Sequence, residues 1–512
     1  MTALSHDDTG FFGHPKGLMI CFATEMWERF SFYGMKYLLL LYLTKYHLFT
    51  DSAGLEVLGS YAAMVYAMPV IGGLLADRYL GMRKSVIFGG LMLVAGHLGM
   101  AFEGEQARMI GDEVARDDRA LQVFYASLAL IVVGVGFLKP NISTIVGRLY
   151  TKTDPRRDAG FTIFYMGINI GSFTATVLCG YLGETLGWSY GFGAAGIGML
   201  LGLVTFIYGQ RHLRGLAEPP EHGGLNTRSP LGIKREHFIY VCALASVGVI
   251  WQMLQFHAAV GTLLNVLSAI LLLGLTWFLV ARCDRVERHR MIVLMVLTVS
   301  TVVFWALFEQ SAASMTLFAD RATNRDLLGV SWAASQFGAL NPMFIFLFAP
   351  FFAWLWTRLG KAGLEPSTPV KFALGIAQAG LGFGALVLGA ANPDQSGLVS
   401  GWWLILAYLL HTCGELCLSP VGLSAVTKLA VPSVVGVMMG SWFLATAYSE
   451  FVAVQLAKLA AMETSAGEVA DTAAALANYS DLFSTLFWLG LGVGLFMLAI
   501  SPILRRMSHG VH

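Results

Sequence analysis

Charge is scarce in this sequence. Only 13% of its 512 residues are Asp, Glu, Lys or Arg, whereas 56% are hydrophobic, and the mean hydropathy is +0.65. A soluble domain cannot hide that share of apolar residues in its own interior, so the composition excludes one and requires lipid as solvent. Cysteine is scarce too. The six residues Cys21, Cys179, Cys242, Cys283, Cys413 and Cys417 lie within or beside apolar segments. Their spacing fits neither a disulfide framework nor a zinc site, and all six read as buried thiols. No H-E-x-x-H zinc motif occurs, and "GVGF" (134–137) lacks the G-K-[ST] of a phosphate loop. A membrane enzyme would need a nucleophile with its base, or clustered His and acid ligands, so an enzyme is not expected. The opening "MTALSHDDTGFFGHPKG" has no basic start, apolar middle or small-residue cleavage site. Residues 1–16 are read as a short cytosolic tail, not a signal peptide.

What is present is a succession of apolar runs of about twenty residues or more, the length that crosses a bilayer. Fourteen helices are expected, at 17–46, 55–80, 83–103, 120–150, 157–186, 189–210, 237–256, 260–281, 289–319, 330–359, 368–391, 400–429, 434–461 and 480–504. The connections alternate in character. Basic ones carry Arg83 and Lys84; Lys152, Arg156 and Arg157; Arg211, Arg214, Lys234 and Arg235; Arg282, Arg285, Arg288 and Arg290; Arg358, Lys361 and Lys371; and Arg505 and Arg506 in the tail 505–512. The positive-inside rule puts these, and both termini, in the cytoplasm. The acidic or neutral set, at 103–119, 391–397 and 462–472, faces outside.

The longest basic connection, 211–236, is rich in Pro, Gly and charge and reads as a linker. It separates an N-terminal six-helix bundle (17–210) from an inserted, peripheral helical pair (237–281) and a C-terminal six-helix bundle (289–504). Six helices plus six is the plan of a transporter with a midplane site.

Ionisable groups at bilayer depth cost at least ~2.5–3.5 kcal/mol each and mark functional sites by default. The first helix holds Glu25, Glu28, Arg29 and Lys36 in "EMWERFSFYGMKY". At about 100° per residue from Glu25, Arg29 falls near 40°, Lys36 near 20°, Tyr33 near 80° and Glu28 near 300°. One helix face carries the set. Lys139 in "GVGFLKPN", Glu309 in "FWALFEQ" and Glu415 in "HTCGELCLSP" add one group each on bundle helices 4, 7 and 10. Helices 1, 4, 7 and 10 are equivalent positions in the two halves, so these charges are expected to line a shared central cavity. The cations Arg29, Lys36 and Lys139 belong to the first half, and the second contributes only acids. A zwitterion would fit that field in one orientation. Four acids against three bases leave one negative charge in excess, which favours holding a proton because desolvation and like charge both oppose ionisation. Charges on both halves argue for a closed, alternating site and against a continuous pore.

In "GGLLADRYLGMRK" (72–84), Gly73, Asp77, Arg78, Gly81, Arg83 and Lys84 follow the order found in the loop between helices 2 and 3 of the major facilitator superfamily. The glycines permit a tight turn, and Asp77 is expected to pair with a cation or a helix end as part of a cytosolic gate. "EMWERFSFYG", "FYMGINIG" (164–171), "GFLKPN", "FWALFEQ", "GELCLSPVGLS" and "SWFLATA" together resemble the proton-dependent oligopeptide transporter family over nearly the whole chain. The resemblance implies an all-α polytopic membrane protein with the major facilitator fold, in a bacterial type that carries two extra helices. It implies proton-coupled symport of di- and tripeptides by alternating access in the bacterial plasma (inner) membrane. No cofactor beyond the coupling proton and no nucleic-acid partner is expected, and the chain is taken as a monomer.

On the same resemblance, Arg29, Lys139 and Tyr33 hold the peptide carboxylate, and Glu415 with Asn169 and Asn341 holds the amino terminus. Glu25 and Glu28 exchange protons and ion pairs with Arg29 and Lys139, and Glu309 couples proton movement to an outer gate. Tyr66, Trp305, Phe308 and Trp442 line side-chain pockets. Two residues depart from the family pattern. Phe32 replaces a tyrosine, and Lys36 stands where arginine is usual, which removes a bidentate contact. Lys36 is expected to close the outer gate against Glu309 or Asp320, with Lys139 and Glu415 sharing in gating. Because the family also includes carriers of nitrate and other anions, a proton-coupled carrier of a non-peptide anion is the alternative; Glu415 argues against it. His97 and His411 read as hydrogen-bonded packing residues, and Pro140, Pro342 and Pro420 as helix kinks.

Overall fold

The computed structural model describes residues 10–151, 153–213, 215–220, 224–229, 232–461 and 472–510. Lys152, Arg214 and most of the acidic connection 462–472 lie outside the described residues. Helices dominate. They are α1 (Lys16–Lys45), α2 (Asp51–Leu75), α3 (Gly81–Met100), α4 (Asp118–Arg148), α5 (Arg157–Tyr181), α6 (Trp188–Gly209), α7 (Arg235–Gln255) and α8 (His257–Ala281). After these come α9 (Arg285–Phe308), the short α10 (Ser314–Arg321), α11 (Leu340–Lys361), α12 (Thr368–Ala390), α13 (Gly401–Leu429), α14 (Val435–Ala457) and α15 (Thr472–Met507).

Local chemistry sets several of these boundaries. The Asp117 carboxylate accepts from the backbone N–H of Arg119 and Ala120 and so caps α4. Asp284 and Glu287 form a reciprocal capping box that starts α9. Gly81, at φ +71°, turns the chain sharply between the wider helical turn Ala76–Leu80 and α3.

Among the described residues, twelve stretches are long and apolar enough to cross a membrane. One of them, Asp51–Met100, contains both α2 and α3, and α1 is absent from the set because its four charges interrupt the hydropathy. Lipid-facing chemistry is plainest on α8, where Leu263, Val266, Leu267, Ile270, Leu273, Trp277 and Val280 are all exposed. The chain is an integral membrane protein. By contrast, Leu38 to Leu43 of α1 are buried, so that helix has protein for its solvent, not lipid.

Four sequence expectations change. The single helix expected at 289–319 ends at Phe308; a tight turn, Glu309–Ala312, and Ala313 at φ −112°, ψ −105° separate it from α10. The helix expected from 330 begins at Leu340. Before it runs a small hairpin pairing Asp326–Leu327 with Val330–Ser331, closed by Leu328 and Gly329 with positive φ. Hydropathy cannot distinguish such a turn from the start of a span. The last helix starts at Thr472 rather than 480, extended by an Ala-rich segment of high helix propensity. Pro342 sits in the first turn of α11, where its missing N–H breaks no helical bond, so it is not a kink. Pro140 and Pro420 are inside helices.

Packing divides the chain into two compact units, residues 1–42 with 64–256 and residues 43–63 with 257–512. In the first, α3 lies along α4 and α6, and α7 lies along α4. Gly171 of α5 meets the Met26 carbonyl of α1 so closely that a Cβ there would overlap it. In the second, α12 lies along α15 and α13, and α9 along α14. A Cβ on Gly490 would stand 2.6 Å from the Cα of Gly380, so α12 and α15 touch backbone to backbone.

The division falls inside the inserted pair, at Phe256. In the first unit Glu236 of α7 pairs with Lys84 at 2.6 Å, and Tyr240 lies 4.8 Å from the Phe88 ring. In the second, Tyr448 donates to Asn265 of α8 at 3.0 Å. Each inserted helix is carried by a different unit.

Candidate functional site

In the first unit, α1 builds a buried charge cluster. Glu25, Glu28 and Arg29 are 3%, 0% and 3% exposed. The Arg29 guanidinium grips Glu28 with two nitrogens, Nη2 donating to Oε1 at 2.6 Å and Nε to Oε2, and its Nε lies 3.4 Å from Glu25 Oε1 one turn earlier. Such a bidentate pair is worth keeping intact, since stripping one partner from a buried pair costs about 3–5 kcal/mol. Glu25 Oε2 is different. It is buried with no hydrogen-bond partner among the described residues.

Aromatic rings complete this half. The Arg29 guanidinium stands 4.9 Å from the Phe32 ring centre, so the residue that lost a family hydroxyl offers a ring face to a cation. Tyr66 of α2 lies under two ammonium groups, Lys139 at 4.7 Å and Lys36 at 5.9 Å. Tyr33 stacks on Tyr37 with centroids 6.3 Å apart. Lys36 is 3% exposed, so it does not snorkel through lipid to an interface. Asn169 donates one side-chain N–H to the Tyr165 carbonyl at 3.0 Å.

The second unit holds the acid that the sequence assigns to an ammonium. Glu415 of α13 is buried and accepts from the Asn341 amide of α11 at 2.9 Å. Trp305 and Phe308 meet edge to face at 5.2 Å. Trp442 is buried, with Gly422 leaving room for its ring. Glu309 opens the turn after α9. Asp320 accepts from Lys45 at 2.8 Å, so within this unit its cation is Lys45, nine residues beyond the Lys36 that the sequence offered.

That last pair is one of three. Arg321 grips Asp51 with two bonds of 2.6 and 2.7 Å, and Lys458 pairs with Glu56. Together they tie the tip of the α1–α2 hairpin to the ends of α10 and α14. Sequence reading singled out Asp320 but missed this clasp, because the other members lie at the edges of apolar runs, where a charge is ordinary. It also missed Gln310, fully buried and donating to the Ala453 carbonyl at 2.7 Å. Glu450, 4% exposed in "TAYSEF", was legible by the rule that singled out the other intramembrane acids.

The "GGLLADRYLGMRK" segment works through different residues than expected. Asp77 is exposed, while Arg83 binds Glu218 in bidentate fashion at 2.6 and 2.9 Å and Lys84 binds Glu236. His411 bonds the Ala379 carbonyl at 3.0 Å; both ring nitrogens of His97 are buried without a hydrogen-bond partner among the described residues. Cys242 is exposed on α7 and Cys413 half-buried, which corrects the reading of all six thiols as buried. One G-x-S-x-G spacing does occur, "GWSYG" at 187–191, but Ser189 lies in the first turn of α6 with its N–H on the Glu103 carboxylate. That is a helix start and not the strand-to-helix elbow of a hydrolase.

Comparisons with known proteins agree on one family. The POT family model matches residues 83–473. The chain is 38% identical over 512 residues, covering 98% of this chain and 96% of the other, to the uncharacterized transporter YclF of Bacillus subtilis. It is also 38% identical to the peptide transporter YePEPT of Yersinia enterocolitica, over 86% of this chain and 87% of that one. A crystal structure of a peptide transporter POT in complex with sulfate superposes with a TM-score of 0.82 at 36% identity, covering 99% of each chain. The chain therefore belongs to the POT family, whose motifs its first, fourth, fifth, seventh, tenth and eleventh bundle helices carry.

Proposed function

We propose that this protein is a proton-coupled symporter that imports di- and tripeptides by alternating access. It works as a monomer in the bacterial plasma membrane with both termini in the cytoplasm. The observation that carries the reading is the division of binding chemistry. The buried cation Arg29 and the half-buried Lys139 sit with Tyr33 and Tyr66 in the first unit, and a buried acid, Glu415, is fixed by Asn341 in the second. The cations take the peptide carboxylate and Glu415 the amino terminus. A plain anion such as nitrate has no use for Glu415, which sets that alternative behind a peptide, as does the naming of relatives as peptide transporters.

The proton enters through the carboxylates of α1. Glu25 Oε2 is buried without a donor, and a charged oxygen in that position is costly; a proton arriving there removes the cost and frees Arg29 from one of its two acids. Lys139 then exchanges partners with substrate. No cofactor other than the proton is required. Uptake of labelled dialanine into proteoliposomes under an inward proton gradient tests the reading. It should be competed by unlabelled dialanine and not by free alanine or nitrate. Nitrate competing as well as dialanine would replace the peptide reading with the anion one.

A further inference from the structure

Away from these residues, a strongly charged concave feature lies in the second unit, where α9 and α12 begin and α11, α13 and α15 end. A cavity of about 410 Å³ is lined by Lys371, Lys428, Arg505, Glu365 and the Ser367–Pro369 segment. A neighbouring cavity of about 650 Å³ shares Glu365, Ser367 and Arg505 and adds Arg506. Four cations therefore surround one trough, and Glu365 is the only acid among its described lining residues. Lys371 is 5% exposed, 4.7 Å from the Trp356 ring centre and 2.5 Å from Glu365 Oε1. Lys428 and Arg505 are exposed. Ser367, at the start of α12, makes no side-chain cap bond, so the wall also presents first-turn N–H groups of a long helix.

We propose that this trough binds a phosphate group, with Arg505 and Lys428 as its exposed ligands and Lys371 as the buried one. A guanidinium fork matches a tetrahedral oxyanion bidentately, and lysines add point charge. The concave wall focuses the field of several like charges. Glu365, whose side chain is 46% exposed, can swing to solvent and release Lys371 when the anion enters. The trough lies at the ends of the spans, on the face whose connections are basic, which is the depth of anionic headgroups in the cytoplasmic leaflet. A phospholipid headgroup and a free phosphate ester share this chemistry.

The test compares the wild-type chain with Lys428→Gln/Arg505→Gln and with Arg282→Gln/Arg285→Gln, a control that removes two cations of the same face outside the trough. Each protein is extracted from vesicles of mixed phosphatidylcholine and phosphatidylglycerol, and retained phosphatidylglycerol is counted by native mass spectrometry. In a second arm, thermal midpoints are followed as inorganic phosphate is added. A headgroup site predicts that the trough variant binds phosphatidylglycerol on the order of ten- to thirtyfold more weakly while the control keeps it. A free-phosphate site predicts equal lipid retention, with phosphate stabilising the wild type and the control but not the trough variant. Equal behaviour of all three proteins in both arms, or an equal loss in the control, overturns the proposal.

Discussion

The side-chain amide of Asn341 donates to Glu415 Oε2 at 2.9 Å and to Thr412 Oγ1 at 3.1 Å, so one amide from α11 fixes an acid and a hydroxyl a single turn apart on α13. An acid held this way presents its other oxygen in a set direction, which is what reading an ammonium requires.

N-acetylation of a dipeptide should therefore weaken its competition for uptake by about 10- to 100-fold in the wild type, the worth of a hydrogen bond to a charged group. In Glu415→Gln the same acetylation should matter by no more than about threefold, since little charge-assisted bonding is left to lose. Equal losses in both backgrounds would show that Glu415 does not read the amino group.

Asp51 is 3% exposed and carries the bidentate grip of Arg321. Asp51→Asn should cost about 1–3 kcal/mol, less than a fully buried pair because a quarter of the Arg321 side chain is exposed. It should lower the thermal midpoint of the purified protein by several degrees. Adding Arg321→Gln to that variant should cost less than Arg321→Gln alone, the signature of coupled residues; simple additivity would show that the two do not act together.

For Lys36, held between the Phe32 and Tyr66 rings at 5.8 and 5.9 Å, gating predicts a change in accessibility. With the native cysteines removed, Lys36→Ala should increase maleimide labelling of a single cysteine placed near the C-terminal end of α1, and Lys36→Arg should keep it low. Labelling of Lys36→Ala that matches the parent at every pH excludes a gate role.

Asp394, in the connection between α12 and α13, titrates with a defined sign. Hydrogen bonds from Ser396 and Asn324 and from the Leu398 N–H hold its carboxyl down at about 2. A carboxyl depressed by folding contributes stability that is present above its unfolded value near ~3.9 and is lost as pH falls through the folded one. Protection of the amides of residues 394–398, with exchange rates corrected for their intrinsic pH dependence, should hold at neutral pH and fall between about pH 4 and 2. Asp394→Asn should remove that pH step.

Much of this molecule was legible from its sequence, and the failures have a common cause. Hydropathy located the long helices, since a bilayer demands continuous apolar runs. Costly charges located Glu25, Glu28, Arg29, Lys139 and Glu415, because a buried ion needs a reason. The same logic is silent at span ends. There Lys45, Asp51, Glu56, Arg321 and Lys458 look like ordinary interfacial charges, and only tertiary packing pairs them and gives Asp320 its cation. It also cannot see a break such as Glu309–Ala313, where neither Gly nor Pro interrupts the sequence. Nor does hydropathy tell α1, whose C-terminal half is enclosed by protein, from α8, whose side chains are exposed.

Proton-driven uptake through the charges of α1 and Lys139 of α4 is decided by transport into proteoliposomes with and without an imposed proton gradient. Wild-type protein should concentrate labelled dialanine only under an inward proton gradient. Lys139→Gln should lose that gradient-driven accumulation. Full accumulation by Lys139→Gln, or equal accumulation by the wild type with the gradient collapsed, would contradict it.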